Sequence, residues 1–167
     1  MARALGYYEG PLQEAIHRWK YRERLSLTAF FGQWMADALG RHWGDASPDI
    51  LIPVPLHKHR LRERGFNQAL LLARDLSRRT GIPCGQQILQ KEKPTLPQVT
   101  LSGSEREKGV RGAFQMTDRG RLKGKSILLV DDVYTTGATV NECSKVLRAG
   151  GAGRVDVLTL AHAIKRS

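Results

Sequence analysis

The chain has 167 residues, 41% of them hydrophobic and 26% charged. Those proportions exclude a disordered polymer and suit a single domain with a real core. Lys and Arg number 27 against 16 Asp and Glu, a formal charge of +11, which favours polyanionic partners such as phosphates, nucleic acid or anionic lipid. No apolar run approaches the ~18–20 residues of a membrane span, and the N-terminus lacks an apolar signal core. Neither membrane insertion nor export is expected. Cys84 and Cys143 are too few for a disulfide framework or a structural zinc site, and fit a reducing cytoplasm.

Residues 8–21 read as an amphipathic helix. Pro11 suits its first turn, and Leu12, Ala15, Ile16 and Trp19 recur at helical spacing. Residues 26–40 repeat the pattern, with Ser26 as a cap, one stripe formed by Leu27, Phe30, Phe31, Trp34, Met35 and Ala38, and Gly40 as an exit. Ile50–Ile52 is a short buried strand cut by Pro53 and Pro55. A basic stretch from His57 to Arg64 follows and reads as a loop. A third helix runs from Phe66 to Arg79, ended by Gly81, and residues 82–90 suit a further strand. Residues 91–112 are polar, rich in Pro and Gly, and without period, as expected of a binding loop or lid. Ser126–Val130 is a continuous apolar run of the kind found in central parallel strands. Helix 138–149 comes next, with Thr139 and Glu142 at capping-box spacing, and Val155–Ala161 is the last strand. Alternating strands and helices predict an α/β fold with a mostly parallel sheet.

The chemistry concentrates in Ile127-Leu128-Leu129-Val130-Asp131-Asp132-Val133-Tyr134-Thr135-Thr136-Gly137-Ala138-Thr139. An apolar strand delivers two carboxylates to its C-terminal end, where ligands of open α/β sheets bind. The Thr-Thr-Gly-Ala-Thr turn then opens a helix. Its backbone N–H groups and dipole suit a phosphate, Gly137 permits close approach, and Thr136 and Thr139 add hydroxyls. Adjacent carboxylates would repel a phosphate that they faced. They make sense beside hydroxyl groups, or holding Mg²⁺. A sugar with a 5′-phosphate and vicinal hydroxyls meets both demands. No Walker loop precedes a helix here, and too few residues follow Asp132 for a phosphorelay receiver domain.

This segment resembles the phosphoribosyl-pyrophosphate (PRPP) motif of type I phosphoribosyltransferases. The resemblance implies that Asp131 and Asp132 serve catalysis by binding the ribose hydroxyls and meet Mg²⁺ directly or indirectly. It also implies that Thr135, Thr136, Gly137, Ala138 and Thr139 hold the 5′-phosphate. Some members use an aspartate as a base where this chain has Thr135, so no base is assigned. Two further blocks, Ile52 to Ala69 and Gln98 to Phe114, resemble the ComF (competence protein F) branch. Members of that branch commonly begin with a four-cysteine zinc module, which this chain does not carry, and tend to have Asn where Gly109 stands.

The basic stretch makes sense unaided. His57, Lys58, Arg60, Arg62 and Arg64 can stabilise a departing pyrophosphate, and Arg106 and Arg111 can close over the ligand from the polar loop. The expected protein is a type I phosphoribosyltransferase-like domain over residues 46–167, with an N-terminal helical extension over 1–45, together one compact unit. It binds PRPP or ribose 5-phosphate with Mg²⁺ and, if it is an enzyme, transfers the phosphoribosyl group. The resemblance adds competence and DNA uptake in the cytoplasm, alongside an ATP-driven DNA translocase. The rival expectation is a non-catalytic single-stranded DNA binding module, favoured by the charge. It is opposed by an aromatic content of 7%, since single-strand binders stack bases on aromatic platforms. A regulator that senses PRPP would use the same site as the enzyme.

Overall fold

A computed structural model describes residues 1–21, 26–93, 109–118 and 120–163. The elements run β1 (Ala2–Tyr7), α1 (Gly10–Lys20), α2 (Leu27–Trp43), β2 (Ile50–Pro53), α3 (Lys58–Arg64), α4 (Gln68–Thr80), β3 (Leu89–Lys91), β4 (Phe114–Met116), β5 (Ser126–Tyr134), α5 (Ala138–Ala149) and β6 (Arg154–His162). Four strands form one parallel sheet in the order β1-β6-β5-β2, and β3 and β4 form a separate antiparallel ribbon.

β5 shows why the sheet forms. Its side chains alternate between two faces, and both faces are covered. Ile127 and Leu129 pack with Ile50, Ile52, Phe114 and Cys143 beneath α5 and the ribbon. Leu128 and Val130 pack with Ile16, Trp19, Met35, Leu72 and Leu76 beneath α1, α2 and α4. A strand buried on both sides needs an unbroken apolar run. Each large side chain so buried stabilises the fold by about 1.5–3 kcal/mol.

The helices follow their apolar stripes. In α1, Pro11 sits in the first turn and Ile16 and Trp19 are buried, and the Trp19 indole N–H donates to Thr28 Oγ1 at 2.9 Å, pinning α1 to α2. The Asn67 side chain caps α4 and Gly81, in the left-handed region at φ +75°, closes it. Buried Asp75 is held by Arg78 and Arg79.

The structure corrects several expectations. The first 45 residues contribute β1, which pairs with β6 at the edge of the main sheet, as well as two helices. Its side chains are half-exposed or exposed, so it shows no apolar period. In residues 82–90, Cys84 bridges to Leu51, while β3 starts at Leu89 and joins the ribbon. The basic stretch is helix rather than loop: His57 caps α3 and Gly65, at φ +76°, ends it. Ser26 makes no side-chain cap, and α2 runs past Gly40 to Trp43. Phe30, placed on the apolar stripe, is 63% exposed. At α5 the cap position is Gly137 rather than a capping-box residue, and Glu142 accepts instead from the Gly112 N–H at 2.7 Å.

Candidate functional site

Asp131 and Asp132 continue the alternation of β5 at the C-terminal edge of the sheet. Asp131 follows Ile127 and Leu129 toward α5 and the ribbon, where it feels the charge of Lys91. Asp132 follows Leu128 and Val130 toward α1, where its Oδ2 meets Lys20 Nζ at 2.6 Å. The two side chains of that pair are only 14% and 17% exposed respectively. Burial works against the Lys20 charge, yet Asp132 outweighs it and holds the ammonium above its ordinary range.

Burial, then the neighbouring Asp132, pushes the Asp131 carboxyl up to about 7. The Asp132 N–H, which donates to Asp131 Oδ1 at 2.9 Å, and the charges of Lys20 and Lys91 oppose the rise. A carboxyl raised this far can serve a ligand in either form. Its acid form can donate to a sugar hydroxyl and its carboxylate can accept from one. Lys91 lies over the Phe114 ring, 5.4 Å from the centroid, and burial lowers its pKa. Burial also raises the Cys143 thiol well above its ordinary value.

The turn that follows is half-buried at Thr135, Thr136 and Thr139 and buried at Gly137 and Ala138. Gly137 adopts φ +78°, and a Cβ there would run into the Tyr134 ring, with Cζ at 2.9 Å. Only glycine fits on both counts. Thr136 Oγ1 accepts from the Ala138 N–H at 3.4 Å. Tyr134 in turn meets His162 edge-on, with ring centroids 5.1 Å apart.

The chain leaving β2 runs beside the acidic pair, because the Val54 N–H donates to the Val130 carbonyl at 2.9 Å. Asn67 Nδ2 holds the Val54 carbonyl at 3.1 Å, which fixes α3 near the sheet edge. The structure then sorts the basic residues. Arg60 and Arg64, one turn apart on one face, are half-buried. Arg60 acts electrostatically on Lys91 and Arg64 on Lys20, the lysines that flank the acidic pair. Lys58, His59 and Arg62 are exposed, and His57 Nδ1 accepts from the His59 N–H at 3.3 Å. Arg111 is exposed in the turn before β4, next to Gly112, which Glu142 ties to α5. Arg106 lies outside the described residues.

Lys20, Lys91 and Tyr134 join the site without having been singled out in the sequence. Lys20 reads locally as a basic residue in the last turn of a helix, where the dipole alone explains it. Among the described residues no group of three or more His, Cys, Asp or Glu side chains gathers as a metal site. Mg²⁺ arriving with a diphosphate needs only one or two protein carboxylates, and Asp131 and Asp132 are the carboxyls at this edge that could meet it.

The phosphoribosyl transferase domain family matches residues 67–166. The chain is 36% identical over 164 residues to Competence protein F of Haemophilus influenzae, spanning 95% of this chain and 71% of that one. The chain belongs to the competence protein F family, whose members carry a phosphoribosyltransferase domain. DNA utilization protein YhgH of Escherichia coli is 31% identical over 160 residues, spanning 94% of this ComF-family chain and 70% of that protein. Among solved structures, glutamine PRPP amidotransferase from B. subtilis, complexed with ADP and GMP, matches with a TM-score of 0.53 at 25% identity. That match covers 80% of this ComF-family chain and 26% of the other. The fold is that of a type I phosphoribosyltransferase. The matched domain begins at Asn67, the cap of α4, so Lys20 and the basic helix α3 enter the site from outside it.

Proposed function

We propose that this ComF-family protein binds a phosphorylated ribose, PRPP or ribose 5-phosphate, across the C-terminal ends of β5 and β2. One observation carries the reading. The Asp131–Asp132 edge leads directly into a glycine-pinned turn that opens α5. On this reading the two carboxyls take the ribose hydroxyls, and the turn from Thr135 to Thr139 takes the 5′-phosphate. Arg60 and Arg64 face the diphosphate of PRPP. Mg²⁺, when bound, would neutralise diphosphate charge.

Transfer would proceed by attack of an acceptor nucleophile on ribose C1. The C1–O bond to pyrophosphate breaks, and pyrophosphate leaves with the bonding pair, steadied by the arginines. Positioning and charge stabilisation are the protein's contribution. A PRPP sensor would use the same contacts without turnover.

The names of the relatives speak of competence and DNA utilization. We extend that setting to this chain, as a cytoplasmic participant in handling DNA taken up, alongside an ATP-driven translocase. Among the described residues no helix is long and apolar enough to cross a membrane. A purely single-strand-binding role is less well supported, because aromatics make up only 7% of the chain and Trp19, Phe31, Trp43 and Phe114 are buried, leaving Tyr7, Tyr21 and Phe30 as the exposed large ones on which a base could stack.

Calorimetric titration with PRPP and Mg²⁺, run beside a single-stranded oligonucleotide, tests the reading. Saturable PRPP binding is expected. Oligonucleotide binding with none to PRPP would overturn it.

A further inference from the structure

We propose that Lys20 is a ligand-positioning residue of this site, neutralising Asp132 in place of a divalent cation so that the acidic pair accepts a phosphorylated ribose without metal. The inference rests on the phosphoribosyl reading above and specifies how its acidic edge is made compatible with an anionic ligand.

The difficulty is electrostatic. A phosphate seated in the turn from Thr135 to Thr139 lies close to Asp132 along the chain, and a bare carboxylate there repels it. A divalent cation is one remedy. The structure already contains another, because Lys20 Nζ stands 2.6 Å from Asp132 Oδ2 with both side chains largely withdrawn from solvent. A contact pair withdrawn from water is poorly screened by salt, so the neutralisation persists under ordinary ionic conditions. A lone carboxylate would be left as an uncompensated charge at that edge.

The placement of Lys20 is built in. It is the last residue of α1, and the preceding Trp19 is buried and bonded to Thr28. The Lys20 carbonyl lies 3.5 Å from Gln68 Nε2, and Gln68 is 2% exposed. Gln68 Oε1 also accepts from Arg64 Nη1 at 3.3 Å. The end of α1, the basic helix α3 and the acidic pair are thus connected through one buried glutamine.

Ribose 5-phosphate separates this role from a merely structural latch, because it lacks the diphosphate that itself recruits Mg²⁺. Its affinity is measured by calorimetry in EDTA and in Mg²⁺ for the wild type, Lys20→Met and Lys20→Arg. The wild type should bind about equally in both media. Lys20→Met should lose about tenfold or more in EDTA, equivalent to about 1.4 kcal/mol, and regain much of that in Mg²⁺. Lys20→Arg should behave like the wild type. Should the Met variant melt below the assay temperature, Lys20→Gln carries the same comparison. Equal losses in EDTA and Mg²⁺, no loss at all, or a wild type that binds ribose 5-phosphate only with Mg²⁺ would each overturn the proposal. A wild type that binds neither ribose 5-phosphate nor PRPP in either medium would instead overturn the phosphoribosyl reading, and this inference with it.

Discussion

Asp131 and Asp132 are neighbours in sequence but face opposite sides of β5. Asp132 pairs with Lys20 at the end of α1, whereas Asp131 turns toward the ribbon, where the charges of both Lys20 and Lys91 act on it. The pair therefore presents two differently tuned carboxyls rather than a chelating couple.

Replacing both with Asn should abolish measurable PRPP binding. Charge-assisted hydrogen bonds contribute about 1.5–3 kcal/mol each, so losing two lowers affinity by about a hundredfold or more. Asn preserves the shape but leaves Lys20 without its partner, so circular dichroism at the assay temperature should first show that the variant is folded. Wild-type PRPP affinity in the double variant would show that the ribose binds elsewhere.

Asp131 also makes stability depend on pH. Its folded pKa of about 7 lies above the ordinary value of 3.8. Below that ordinary value both folded and unfolded chains hold the proton, and the buried carboxyl adds no penalty. As pH rises from there to about 7, the unfolded chain releases the proton while the folded one keeps it, so stability falls. Above about 7 the penalty is constant. The melting temperature of Asp131→Asn minus that of the wild type should therefore grow from pH 4 to pH 7 and then level off. A flat difference across that range would show that Asp131 is not held protonated by the fold.

Gly137→Val should disable the turn. The position needs φ +78° and has no room for a Cβ beside Tyr134. A non-glycine residue there costs about 1–2 kcal/mol in backbone strain alone. Affinity for ribose 5-phosphate should fall at least tenfold (about 1.4 kcal/mol), and more than affinity for ribose. Equal losses for the two ligands would mean that the turn does not hold the phosphate.

The basic helix should divide by face. Arg60→Gln with Arg64→Gln should weaken PRPP far more than ribose 5-phosphate, since only PRPP brings a diphosphate. Lys58→Gln with Arg62→Gln, on exposed positions, should leave PRPP nearly unchanged. If the exposed pair instead meets DNA, its loss should flatten the salt dependence of oligonucleotide binding by about 0.7 per phosphate contact in log–log slope. Isothermal titration of both double variants at two salt concentrations distinguishes these outcomes.

The sequence by itself determined the junction from Ile127 to Ala149. A buried parallel strand, its acidic end, a required glycine and an amphipathic helix are all local features, set by residues a few positions apart. The same locality made α1, α2 and α4 legible from their apolar stripes. Only the tertiary structure decided which groups meet the acidic pair. Lys20 arrives from the far end of the chain through the packing of α1 on the sheet, and Lys91 through a ribbon whose pairing joins Leu89–Lys91 to Phe114–Met116. β1 stayed hidden because an edge strand with exposed and half-exposed side chains carries no period. The basic residues could not be ranked until α3 proved to be a helix, which turns Arg60 and Arg64 inward and Lys58 and Arg62 out. Charge alone does not encode direction; a helical repeat of 3.6 residues, anchored at His57 and Gly65, does.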